Sequence, residues 1–428
     1  MTKSPSHTSS KRAVDQFVRH NRLARDLGIG RQLIQDREFH GDTITIRGHD
    51  VANFGLCSYL GLGDDPRLKE AAIDAVSRYG NSYSSSTAYT ALPLYGALRE
   101  RIESMLGAPV VIAASTTLAH MAALPVLVRS GDTVVIDAHA HASLLAVIPS
   151  LVANGATIHQ LAHNDLTALA NHASSAPGRT WYLFDGLYSM QGVTAPAEEL
   201  RAMLDRHPDL WLYCDDAHSL GWSGSRGRGQ FLERTGWHDR LVMAYGLAKS
   251  FGTMGGIVAT PDRETIELIE YTGGPMVFGG PLPPSTLGAS IASADIHLSD
   301  ELPVLQRELV DRIRFVNEFS DDIGVPLGAR EETPLFFVEI GPVLSTLSVT
   351  TAMLKKGFYL NAAVFPAVPR NKGGVRFTVT RYNDLDQIEA MLTDLHQVRL
   401  AHEGPGEVID LTALEDEEPV RSSPREGD

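Results

Sequence analysis

Six short apolar runs constrain this chain most. They lie at 110–113, 133–136, 181–184, 211–214, 241–244 and 256–259. Each is too short for a buried helix and suits a strand covered on both faces. Amphipathic stretches long enough for crossover helices, such as 196–205, separate most of them. Apolar strands alternating with helices predict an α/β fold around a mostly parallel sheet. Upstream, a helix is expected over 66–80, opened by Pro66 and stopped by Gly80. Another carries Leu94, Leu98, Ile102 and Leu106 on one face and ends at Gly107.

Beyond about residue 290 the pattern changes. Helices are expected over 303–319, 348–356 and 384–400, with strands at 335–340 and 375–379. The expected division is an N-terminal segment (1–55), a large domain with the mostly parallel sheet (56–290), a smaller C-terminal α+β domain (291–402) and an acidic, disordered tail (403–428).

Composition removes several functional classes. The 428 residues are 43% hydrophobic and 21% charged, as in ordinary folded proteins. No apolar stretch is long enough to span a bilayer, and the N-terminus has no signal-peptide core, so a cytoplasmic protein is expected. Two cysteines, Cys57 and Cys214, make no disulfide framework. The net charge of −15 disfavours nucleic acid and anionic membranes as partners. Nearly half of that charge lies in the tail, where nine acidic side chains face two arginines, leaving the body only mildly acidic.

In open parallel sheets ligands sit beyond the carboxyl ends of the strands, and chemically useful side chains follow these runs. Asp215, Asp216 and His218 follow the run at 211–214; alone they also suit a helix N-cap. Lys249 follows 241–244 in an apolar, glycine-rich turn, where desolvation makes an amine nucleophilic. His139 and His141 follow 133–136, with no Cys, Glu or further His nearby to complete a metal site. Ser189 follows 181–184. A lysine with an upstream aspartate and histidine meets the needs of pyridoxal 5'-phosphate: an amine to anchor it and a carboxylate to keep its ring nitrogen protonated.

The order and wording of six pieces then resemble one family, the α-oxoamine synthases among the fold-type I pyridoxal-phosphate enzymes. They are Cys-Ser-Tyr-Leu-Gly-Leu at Cys57, Asp-Gly-Leu-Tyr-Ser-Met-Gln-Gly at Asp185, Asp-Asp-Ala-His-Ser-Leu-Gly at Asp215, Gly-Arg-Gly at Gly227, the Lys249 segment, and Phe-Gly-Gly-Pro-Leu-Pro-Pro at Phe278. The resemblance spans roughly 50–400. It implies that Lys249 anchors the cofactor, Asp215 pairs with its ring nitrogen, His218 bonds its phenolic oxygen and His141 stacks on its ring. It implies that Ser115, Thr116 and Thr117 form the phosphate-binding turn at a helix N-terminus, and that Ser189 also faces the cofactor. Arg376 aligns with the arginine that grips the amino-acid carboxylate, a task suited to a guanidinium; otherwise it is a strand-face surface residue.

The implied activity is decarboxylative condensation of a small amino acid with an acyl thioester, of coenzyme A or a carrier protein, in a homodimer that binds no nucleic acid, membrane or metal. Other carbon–carbon chemistry with a different electrophile, an aminotransferase, and a non-enzymatic binding protein are the alternatives. Several positions depart from the family pattern. Gly246 and Ala248 replace phosphate-touching hydroxyls, Gly279-Gly280 replace a Ser-Thr pair, and His120 and Cys57 stand where asparagine is usual. Gln191 stands where aspartate is common. These changes imply a specialised enzyme in which Thr116 and Thr117 compensate for lost phosphate contacts.

Overall fold

The computed structural model describes residues 7–403, so the expected tail beyond Glu403 lies outside the described residues. A helix, His7–Asp26, leads into a hairpin of β1 (Thr43–Ile46) and β2 (His49–Asn53). The central sheet contains β3 (Val110–Ala113), β4 (Thr133–Asp137), β5 (Thr157–Leu161), β6 (Thr180–Asp185), β7 (Leu210–Asp215), β8 (Leu241–Gly246) and β9 (Gly256–Ala259). Its order is β3-β9-β8-β7-β6-β4-β5, and only β9 runs antiparallel to its neighbours. The remaining strands are β10 (Leu335–Gly341), β11 (Phe358–Tyr359), β12 (Asn361–Ala363) and β13 (Gly373–Thr378).

The apolar runs are strands because helices cover both sheet faces. On β6, Trp181 and Leu183 enter one core while Tyr182 and Phe184 enter the other, and all four are buried. Each large apolar side chain buried this way contributes roughly 1.5–3 kcal/mol, so a charge at Leu183 would break the sheet locally. The helix Pro66–Tyr79 starts on its proline with Asp65 as cap and stops at Gly80, while Gly107 ends Pro93–Leu106 in a left-handed conformation.

Strand β5 escapes the apolar pattern because it is the sheet edge and mostly solvent-facing. The hairpin carries a legible signal, the alternating Thr-Ile-Thr-Ile before a two-residue turn at Arg47-Gly48 with φ of 53° and 78°. It pairs through β2 with β11, so the N-terminal segment adds two strands to a sheet completed near residue 358. A second small sheet, β10-β13-β12, is antiparallel and packs with Leu302–Ile323, Val343–Lys355 and Leu385–Glu403 around a separate core. The helix Pro284–His297 crosses the expected boundary at 290 and packs on Pro66–Tyr79. No described helix is long and apolar enough to cross a membrane.

Candidate active site

Parallel register sets Asp185 of β6 directly beside Asp215 of β7, and Asp215 beside Ala244 of β8. Two buried carboxyls and the turn carrying Lys249 therefore share one sheet edge. Asp215 Oδ1 accepts the Ala217 amide at 3.1 Å, and Oδ2 lies 2.9 Å from His120 Nε2. Burial pushes the Asp215 carboxyl up, but His120, Lys249 and His141 together outweigh it and hold the group at about 2. Burial and the Asp215 charge push Asp185 well above the usual carboxylate range. Adjacent strand ends thus carry two acids whose surroundings push their pKa values in opposite directions.

Lys249 is half-buried, and among the described residues its Nζ has no hydrogen-bond or ion-pair partner. Burial lowers its pKa below the ordinary lysine value, against the opposing pull of Asp215, Cys57 and Asp185. His218 is buried, its Nδ1 2.7 Å from Tyr59 Oη. Burial first, then the charges of Lys249 and Arg376, keep that ring neutral. His141 caps the short helix Ala142–Leu145, and its amide donates to Asp185 Oδ1 at 2.9 Å. Its Nδ1 accepts the Ser143 amide at 3.3 Å and lies 2.7 Å from Ser143 Oγ, which leaves the proton on Nε2.

Arg376, in β13, is buried rather than on an exposed strand face. Its Nε donates to the Ser189 carbonyl at 2.6 Å and its Nη2 stands 3.6 Å from Cys57 Sγ. Burial raises the Cys57 thiol, but Arg376 and Lys249 bring it below the usual value.

Ser115 caps the helix Thr116–Leu127 by accepting the Leu118 amide at 3.2 Å. The Thr116 and Thr117 amides, at the first two helical positions, have no acceptor within the helix. A Cβ at Gly246 would meet Thr116 Oγ1 at 2.8 Å, so glycine lets the threonine hydroxyl close over the end of β8. Beside His141 and Ser189 opens a cavity of about 450 Å³, walled by Leu145, Met190, Phe365 and Val368.

These features fit pyridoxal phosphate: an amine lacking an acceptor, an ionised buried carboxylate, and free amides with hydroxyls at a helix N-terminus. Lys249, Asp215, His141, His218 and Arg376 form one electrostatic cluster. Thr116 borders the end of β8 and Ser115 the start of β9, Thr117 is exposed, and Ser189 meets Arg376 through its carbonyl. Among the described residues no cluster of metal-ligating side chains occurs; His139 stacks on His163 with ring centroids 4.3 Å apart. Sequence reasoning missed Tyr59, Asp185 and the contact of His120 with Asp215, although Tyr59 and Asp185 lie inside two of the motif pieces.

Residues 49–393 match the family model described as aminotransferase class I and II. The chain is 31% identical over 360 residues to an 8-amino-7-oxononanoate synthase of Symbiobacterium thermophilum, across 82% of this chain and 89% of that protein. It is 28% identical over 360 residues to a serine palmitoyltransferase of Sphingobacterium spiritivorum, across 83% and 88%. Among solved structures, a serine palmitoyltransferase variant from S. paucimobilis with bound pyridoxal phosphate and myriocin gives a TM-score of 0.84 at 22% identity, covering 93% of this chain and all of that one.

Proposed function

Because the chain belongs to the aminotransferase class I and II family, grouping within it with the α-oxoamine synthases, we propose that it joins a small amino acid to an acyl thioester. Carbon dioxide and the free thiol leave, and an α-amino ketone remains. One observation carries the reading: a half-buried lysine amine without an acceptor lies close enough to the ionised Asp215 for the two charges to interact.

Lys249, Asp215, His218 and the Ser115–Thr116–Thr117 turn would hold pyridoxal phosphate, with His141 against its ring and Ser189 beside it. When bound, the cofactor withdraws the electron pair left on the amino acid's Cα. Burial lowers the Lys249 pKa toward the free amine, and Nζ takes the Cα proton. Ionised Asp215 keeps the ring nitrogen protonated. Arg376, anchored through Nε, has its remaining guanidinium N–H groups for the substrate carboxylate. The His141 ring, exposed on the cavity wall with its proton on Nε2, orients the thioester carbonyl.

The same reading includes a homodimer working in the cytoplasm on coenzyme A or carrier-protein thioesters. Phe278, 87% exposed in its proline-rich segment, suits contact with a second copy of the chain. Residues 56–290 would form the cofactor-binding unit and 291–402 the smaller one.

The test is uptake of pyridoxal phosphate followed by visible absorbance, then a screen of amino acids against acyl thioesters by quench of that band and by product mass. Thiol and carbon dioxide are expected in equal amounts, and Lys249→Ala abolishes the band. A band that persists in Lys249→Ala refutes the lysine's role. Condensation without thiol release indicates another electrophile, and conversion of the cofactor to its amine form indicates an aminotransferase.

A further inference from the structure

His120 is fully buried on the helix Thr116–Leu127, between two polar groups of β7. Its Nε2 lies 2.9 Å from Asp215 Oδ2 and its Nδ1 lies 2.9 Å from Tyr213 Oη. Tyr213 is also fully buried, and the two rings meet edge-on with centroids 5.6 Å apart. A carboxylate only accepts, so His120 Nε2 must carry a proton, and a neutral ring then accepts a hydrogen bond from the Tyr213 hydroxyl at Nδ1. Tyr213, His120 and Asp215 form a buried chain in which every donor points toward the carboxylate.

We propose that His120, oriented by Tyr213, is a positioning residue that fixes where the proton lies between Asp215 and the cofactor's ring nitrogen. The assignment rests on the function proposed above. A buried carboxylate facing a pyridine nitrogen has two arrangements, carboxylate with protonated ring or carboxylic acid with neutral ring. Burial favours the neutral pair, because neither partner is then charged. The N–H from His120 selects the charged pair, because it bonds best to an ionised oxygen. Lys249 and His141 are near enough for their charges to act on Asp215, and Asp185 stands on the neighbouring strand. Of these groups, His120 alone gives a side-chain hydrogen bond to Asp215 among the described residues. A protonated ring withdraws electrons from Cα far better than a neutral one, so His120 acts on the chemistry without touching substrate.

The experiment loads the full chain with pyridoxal phosphate isotopically labelled at the ring nitrogen and records that nucleus by NMR. The wild-type resonance is expected at the protonated position at neutral pH. His120→Leu moves it toward the unprotonated position and slows solvent exchange of the amino acid's α-proton by about 10- to 100-fold, the effect of one charge-assisted hydrogen bond. His120→Asn retains an N–H donor and stays near wild type, while Tyr213→Phe shifts part of the way. A His120→Leu protein that loads cofactor with an unmoved resonance overturns the proposal. Should that variant fail to fold, Tyr213→Phe decides, and an unmoved resonance there overturns it. A wild-type protein that takes up no cofactor refutes the proposed function instead.

Discussion

The hydroxyl of Thr116 fills the space that a side chain at Gly246 would need: a Cβ there would lie 2.8 Å from Oγ1. The glycine at 246, where the family pattern carries a hydroxyl residue, thus makes room for Thr116. Thr116→Ala/Thr117→Ala should weaken cofactor binding by roughly 5- to 100-fold, at about 0.5–1.5 kcal/mol per lost hydrogen bond. Gly246→Thr alone should also weaken it by crowding Thr116, and adding Thr116→Gly should recover most of the loss. Titration with cofactor checks all three; unchanged affinity in the double-alanine variant removes the compensation argument.

Neighbouring carboxyls Asp215 and Asp216 should respond to pH in opposite directions. Asp215 is held at about 2, below its ordinary 3.8, so it contributes stability above the ordinary value and loses it as pH falls through about 2. Burial raises Asp216 to about 7, so its contribution is present below 3.8 and lost as pH rises through about 7. Chemical denaturation of the cofactor-free protein at neutral to mildly alkaline pH should find Asp215→Asn less stable and Asp216→Asn more stable than wild type. The reverse order would contradict the burial assigned to these two groups.

Arg376 is held in place through Nε, and its value lies in a rigid fork that a lysine lacks. Arg376→Lys keeps the charge but loses the fork. Steady-state kinetics should give a KM for the amino acid raised about 10- to 100-fold, with a smaller change in kcat. A kcat loss at unchanged KM would assign Arg376 to the reacting atoms rather than to the carboxylate.

No lysine or arginine is among the residues lining the cavity beside His141. Burial lowers the pKa of His139, also on the wall, leaving it neutral near pH 7. A second carboxylate at the far end of an acyl chain would meet no cation in that lining, because the Arg370 guanidinium instead covers the Phe365 ring, 4.4 Å from its centroid, and burying a charge without a partner is costly. Uncharged aliphatic thioesters should show at least about tenfold higher kcat/KM than chains ending in a carboxylate. Competition between the two in one reaction, read by product mass, measures the ratio directly.

Strands buried on both faces are legible because every position must be apolar, as on β6 and β8. Edge strand β5 and the two- and three-residue β11 and β12 are not, since partners elsewhere define them. The site divides in the same way. Lys249, Asp215, His218 and His141 stand out because each ends or follows a strand, and in a parallel sheet strand ends converge whatever the loops between them do.

Local sequence determined which residues reach that edge and in what order. Tertiary structure alone decided their partners: His120 meets Asp215 across 95 residues, Tyr59 meets His218 across 159, and Arg376 meets Ser189 across 187. Periodicity and capping report only on neighbours within a turn or two. The state of a buried charge depends on what packs against it, and here those groups come from distant segments brought together by the sheet and its covering helices.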